Sequence, residues 1–236
     1  GSVGRGEAVK LLVFGRPRSG TTLLGHLLGQ IPGVHDDREC LHHAVLAQHR
    51  FLDNRARSCG ARVYACKLLS YQMFEVQRIR DPLSFFERLV ESGFLLIHLR
   101  RNTYDQSLSL STAQATQQYV LRSNQGDDSG PRDIRIDPER FAAQIRWNLE
   151  MLSFEDDLMA ALPHRVVQYE SHLSGSAAQR QTIDAICDDL GLKRHTVRAG
   201  LRRTGGKGGK FRVENEAELA ETLKRHDLGH VLDSTI

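Results

Sequence analysis

Lys10–Thr22 reads KLLVFGRPRSGTT, and this stretch decides the fold. Lys10–Gly15 is an apolar run of strand length that stops at a glycine. Leu23, Leu24, Leu27, Leu28 and Ile31 then recur at helical spacing, so a helix follows at once. A strand, a tight turn and a helix N-terminus together make an anion site. The first amides of a helix lack intrahelical partners, and the helix dipole favours negative charge there. Gly20 lets a ligand approach the backbone, while Ser19, Thr21 and Thr22 offer hydroxyls. Arg16 and Arg18 supply positive charge. Gly15 and Gly20 have the spacing of the P-loop, GxxxxGK[ST], and Thr22 stands at its hydroxyl position. Thr21 replaces the lysine that would reach the β- and γ-phosphates of a nucleoside triphosphate. That replacement argues against an ATPase or an ordinary kinase and suits a shorter 5′ group.

Working outward, Arg62–Leu69, Phe94–Leu99 and Arg165–Tyr169 read as further strands. Phe94–Ile97 is continuously apolar, as in a parallel strand covered on both faces. Phe141, Ile145, Leu149 and Leu152 form a second helical stripe, and Ile183, Ile186 and Leu190 a third. Strands alternating with helices predict a single α/β domain over residues 8–236, with a central, mainly parallel sheet flanked by helices. Ser123–Pro138 and Thr204–Lys210 are rich in Gly, Asp, Ser or Pro and are expected to be mobile loops. Glu214–Arg225 is a charged helix candidate. Gly1-Ser2 reads as a tag remnant, so a native signal or anchor could have been cut away.

The chain has 236 residues, 40% of them hydrophobic, which excludes a wholly disordered chain and allows one sizeable core. No run approaches the ~18 apolar residues of a membrane span. A net charge of +3 gives no support for a nucleic-acid coat. The four cysteines form no CxxC pair and no disulfide framework, which points to a reducing, cytoplasmic setting. A lumenal catalytic domain that has lost its anchor is the alternative. The 26 Arg far outnumber the 6 Lys, and the arginine fork suits phosphate and sulfate.

Three more segments carry candidate chemistry. Arg100-Arg101-Asn102-Thr103 closes the apolar strand at its C-terminal end, where open α/β sheets bind ligands. Thr103 and Gln106 have capping-box spacing and place a helix start there, with Ser109 two turns in. Lys67 ends another apolar strand, where an unpartnered charge would be costly. His35-Asp36-Asp37-Arg38-Glu39-Cys40-Leu41-His42-His43 gathers possible ligands, but its spacing matches no standard zinc pattern.

Arg16–Leu24 (RPRSGTTLL) resembles the 5′-phosphosulfate loop of sulfotransferases that use 3′-phosphoadenosine 5′-phosphosulfate (PAPS). Arg18 stands where the cytosolic animal branch has Lys. The chain is therefore more similar to the bacterial glycan-modifying branch, which includes the trehalose and Nod-factor sulfotransferases. The resemblance implies a P-loop-like sulfotransferase fold and a donor loop formed by Arg16, Arg18, Ser19, Gly20, Thr21 and Thr22. It implies a 3′-phosphate pair of Arg101 and Ser109, with Arg100 as the alternative to Arg101. Tyr169, in Val166-Val167-Gln168-Tyr169-Glu170, would lie near adenine. Lys67, in Ala65-Cys66-Lys67-Leu68 with Gln72 following, would face the transferred group. Arg202, in Arg202–Lys207, would belong to a basic glycine loop at the phosphate, and Arg212–Glu216 would lead into the final helix. Glu39 lies 21 residues beyond Arg18, where that branch has its general base. His42 and His43 are the alternatives.

The implied reaction moves a sulfuryl group from PAPS to a hydroxyl of a carbohydrate, glycolipid or small metabolite by in-line displacement, leaving 3′,5′-adenosine bisphosphate (PAP). Arginines supply the charge, so no metal is expected. Acceptor contacts are expected in residues 36–60 and in the 123–138 loop. A P-loop-like nucleotide kinase or NTPase, and a non-catalytic donor-binding module, are the competing functions. Oligomeric state and acceptor identity leave no readable signal in the sequence.

Overall fold

The computed structural model describes residues 8–119, 121–122, 132–199, 201–202 and 211–233. The expected loop at 204–210, residues 123–131 of the other loop, and residues 1–7 lie outside that description. In chain order the first half holds β1 (Val9–Gly15), α1 (Thr21–Leu28), β2 (Val34–Asp36), α2 (Gln48–Ser58), β3 (Val63–Leu69), α3 (Ser70–Glu75), α4 (Pro82–Glu91) and β4 (Phe94–Arg100). The second half holds α5 (Thr103–Thr116), β5 (Leu121–Arg122), β6 (Arg132–Ile134), α6 (Pro138–Ala160), β7 (His164–Gln168), α7 (Tyr169–His172), α8 (Ser176–Asp189), β8 (Leu201–Arg202), β9 (Phe211–Val213) and α9 (Glu216–Arg225).

Five strands form one parallel sheet in the order β2-β3-β1-β4-β7. The four strands expected from sequence are its four longest, each shifted by a residue or so. The short edge strand β2 has no such signal, since its VHD alternates weakly and lies inside the acid- and histidine-rich segment. Alternate residues of β1 enter different cores. Leu11 and Val13 pack with α1 and α8, through Leu24, Leu27, Ile183 and Ile186. Leu12 and Phe14 pack on the other face with α2, α4 and the end of α6, through Leu52, Phe86 and Met159. Covering both faces explains the continuous apolar runs of β1, β3 and β4. A third cluster ties α5 and α6 to α9 through Leu108, Phe141, Ile145 and Leu219.

This order fixes where a ligand can sit. From β1 the chain crosses to β3 on one side, and later to β4 on the other. The C-terminal end of β1 is therefore the topological switch point, the crevice where open α/β sheets bind ligands. The loop that leaves it is Arg16–Gly20. Gly15 is needed there, because a Cβ would lie 2.5 Å from the Leu99 carbonyl oxygen of β4.

Candidate donor and acceptor cleft

The turn after β1 closes on itself. The Ser19 hydroxyl donates to the Arg16 carbonyl at 2.7 Å, and the Ser19 amide donates to the same oxygen at 3.3 Å. Gly20 caps α1 with φ 110°, a left-handed conformation that glycine adopts freely, and has no side chain to satisfy the first helical amides. Those amides open into a cleft of about 1070 Å³ lined by Arg18, Gly20, Thr21, Thr22, Arg101, Ser109 and Tyr169. Gln106 holds the loop from the side, donating to the Pro17 carbonyl at 2.7 Å.

Two groups of side chains flank that helix N-terminus. On one flank Arg18, itself at φ 65°, donates from Nε to Ser109 Oγ at 3.1 Å and also reaches the Tyr119 carbonyl. Arg101 donates to the Arg18 carbonyl at 2.9 Å and lies 4.4 Å over the Tyr169 ring. Tyr169 in turn backs Gly20, whose Cβ, if present, would lie 2.7 Å from Tyr169 Cδ2. Burial, and then the like charge of Arg101, hold the Arg18 guanidinium below its ordinary pKa. An anion between the two arginines would relieve that repulsion. Arg100, the alternative to Arg101, instead pairs with Asp156 at 2.9 Å and does not line the cleft.

On the other flank Lys67 Nζ donates to Thr22 Oγ1 at 2.7 Å and pairs with Glu39 Oε1 at 2.8 Å. Gln72 Nε2 holds Glu39 Oε2 at 3.0 Å, while its Oε1 accepts from the Leu69 amide at 3.0 Å. The buried lysine thus has the partner its position requires. The half-buried Glu39 is fixed at both oxygens and still lines the cleft. His42 and His43 are exposed, lie with ring centres 3.8 Å apart and planes tilted by 47°, and line a separate depression.

Two residues expected at the ligand face elsewhere. Ser19 is fully buried and its hydroxyl is engaged within the turn. Arg16 is also fully buried, beneath the loop. Its guanidinium donates to the carbonyls of Asn148 at 2.9 Å and Arg101 at 3.3 Å, and lies 3.5 Å from Glu155. Arg16 therefore braces the loop and does not line the cleft; burial lowers its pKa. Arg202 lies in β8, and its side chain is outside the described residues.

The helix start at residue 103 is observed, but its cap is Asn102, whose side chain accepts from the Asp105 amide at 3.0 Å. Asn wins over Thr103 because it stands one residue before the first helical turn, where a side-chain acceptor reaches the free amides. Glu170 accepts from the Asn102 amide at 3.0 Å and ties the end of β7 to this corner.

Some residues at the site had no prior assignment. Glu155 lies beneath the loop with Arg16 and does not line the cleft; it falls on the apolar stripe of α6, so a charge on a buried helical face was the available signal. Tyr71, Arg140, Gln144 and Trp147 also line the cleft, as do Ser111 and Gln114 of α5. The rest of the lining comes largely from α5 and α6, which pack beside the loop, with Glu39 the contribution of residues 36–60 and Arg135–Asp137 that of the 123–138 segment. Among the described residues, no cluster of three or more His, Cys, Asp or Glu could hold a metal ion, and no helix is long and apolar enough to cross a membrane.

No family model matches this chain, and no curated protein matches it. Similar solved structures include a sulfotransferase from Alicyclobacillus acidocaldarius, at 14% identity and a TM-score of 0.45, covering 97% of each chain. Another is the sulfotransferase domain of the Synechococcus PCC 7002 olefin synthase, at 15% identity and a TM-score of 0.48, covering 87% of this chain and 81% of that one. At these scores the likenesses carry no weight for function, which must rest on the cleft itself.

Proposed function

We propose that this chain transfers a sulfuryl group from PAPS to a hydroxyl of a carbohydrate, glycolipid or small metabolite. The observation that carries this is one helix N-terminus flanked by a two-arginine anion pocket and by a carboxylate–lysine pair. The open amides of α1, with Arg18, Thr21 and Thr22, suit the 5′-phosphosulfate. Arg101 and Ser109 suit the 3′-phosphate, Arg202 would add to it, and Tyr169, which lines the cleft beside Arg101, would lie near adenine. The cleft exceeds the upper end of the ~300–1,000 Å³ typical of one ligand, leaving room for an acceptor as well.

The residues divide the chemistry between them. Glu39 takes the proton from the acceptor hydroxyl as that oxygen bonds to sulfur. The bond from sulfur to the 5′-phosphate oxygen breaks, and its electron pair leaves with the phosphate. Arg18 and the α1 amides hold the charge that grows there, and Lys67, from beside Thr22, stabilises charge on the transferred sulfuryl. Positioning and charge supply most of such a displacement.

A nucleotide kinase is less well served. In a P-loop the hydroxyl at the Thr22 position holds magnesium. Here that hydroxyl accepts from the Lys67 ammonium, which supplies a fixed cation at the same place. The test is calorimetry with PAP and with Mg-ATP, followed by transfer of labelled sulfate from PAPS across a panel of hydroxyl acceptors. PAP binding in the micromolar range, and its loss in Arg18→Ala, are expected. Binding of Mg-ATP with none of PAP would refute sulfuryl transfer. Donor binding with no transfer to any acceptor would leave a non-catalytic module.

A further inference from the structure

The α6 wall of the cleft has its own chemistry. Arg140, Gln144 and Trp147 follow one another at helical spacing along α6, and all three line the cavity. Trp147 is the only tryptophan of the chain and is half-buried there. Gln144 Oε1 accepts from the Ser111 hydroxyl at 2.7 Å, which holds this face of α6 against α5. Arg140 is exposed, and among the described residues its guanidinium has no hydrogen-bond or ion-pair partner. Arg135, the other arginine of this wall, is paired with Glu218. The amides at the start of α6 are also satisfied, because Asp137 accepts from Glu139 and Arg140 at 3.0 and 3.1 Å. The unmatched positive charge of the wall is therefore the Arg140 side chain. The lining also includes Glu39, from the loop after β2, and Tyr71 and Glu75 of α3, which can accept hydrogen bonds from hydroxyls.

We propose that this wall is an acceptor site for a ring alcohol bearing an anionic group, such as a sugar acid, with Trp147 as its platform and Arg140 as its counter-ion. This rests on the sulfuryl-transfer function above. An indole offers a flat apolar face to the C–H side of a ring. An arginine without a partner offers a fork to a carboxylate or a similar group. Glu39 and Glu75 repel that group and attract hydroxyls, so the ligand is oriented with a hydroxyl toward Glu39 and its anionic end toward Arg140.

The sole tryptophan gives a direct readout. Protein saturated with PAP is titrated with methyl β-D-glucuronide and with methyl β-D-glucopyranoside at fixed ionic strength, and Trp147 emission is followed. PAP binding is measured by calorimetry in the same samples. A saturable change with at least tenfold tighter binding of the glucuronide is expected. In Arg140→Ala, at a solvent-exposed position, the preference should shrink below threefold while PAP affinity stays within threefold. No saturable response to either sugar, equal affinities, or a preference that survives Arg140→Ala would overturn the acceptor assignment alone. Absence of PAP binding by the unaltered protein would overturn sulfuryl transfer and the acceptor assignment with it.

Discussion

Removing the Glu155 carboxylate should destabilise the fold through Arg16. Both side chains are fully buried, and the Arg16 Nε lies 3.5 Å from Glu155 Oε2. Deleting one member of a buried pair leaves an uncompensated charge and costs about 3–5 kcal/mol. The surroundings place this case at the low end. The Arg16 guanidinium keeps its bonds to the Asn148 and Arg101 carbonyls, and Asp156 still contributes a negative charge nearby. For Glu155→Gln, which preserves shape, the loss should be about 3 kcal/mol. A domain of this size loses about 2–4 °C of Tm per kcal/mol, so a fall of about 6–12 °C is expected by calorimetry. Glu155→Met should cost more, since it also removes the acceptor that faces His98 Nε2 at 3.3 Å. A fall of less than about 2 °C in both variants would refute the view that this ion pair holds the loop's base.

Three further outcomes follow from the same geometry. Glu39→Gln should lower sulfuryl-transfer turnover by about 10²–10⁴-fold, with PAP affinity unchanged by calorimetry; equal turnover would remove Glu39 as the base. Gly20→Ala should cost about 1–3 kcal/mol and weaken PAP binding, because φ is 110° and the new Cβ would meet Tyr169 at 2.7 Å. Gly60→Ala, with positive φ but nothing within 4 Å, is the control and should leave PAP affinity intact. Burial pushes the Tyr104 hydroxyl up to about 12, above its usual 10. Between those values the unfolded chain has lost this proton and the folded chain keeps it, so stability falls as pH rises from 10 to 12. Tyr104→Phe should flatten part of that fall in urea titrations, and an unchanged slope would contradict it.

The anion loop was legible in the sequence because its signals are local. An apolar run, a glycine pair at fixed spacing and a leucine stripe each act within a few residues. Strand, turn and helix therefore follow with no knowledge of the rest of the chain. Arg101 and Tyr169 at strand ends, and Ser109 two turns into α5, were nominated through the family resemblance, although not as neighbours. The same local reading misplaced Arg16. It alternates with Arg18 in the chain, and only the turn's geometry sends one guanidinium inward to Glu155 and the other toward Ser109. Nothing within the loop marks that difference, because the deciding residue lies 139 positions away on α6.

The acceptor wall was invisible for a related reason. Arg140, Gln144 and Trp147 form an ordinary helical face until α5 and α6 are packed beside the loop. Glu39 and Lys67 show the boundary most clearly. The family resemblance nominated Glu39 as a base, and the end of an apolar strand marked Lys67 as a cation, each singly. Sequence by itself determined the α/β alternation and the loop after β1, since strand and helix periodicity are short-range properties of the chain. Tertiary structure alone decided which charges meet. The strand order β2-β3-β1 brings Glu39, Lys67 and Thr22 to one point. Buried charge is tolerated only where packing supplies a partner.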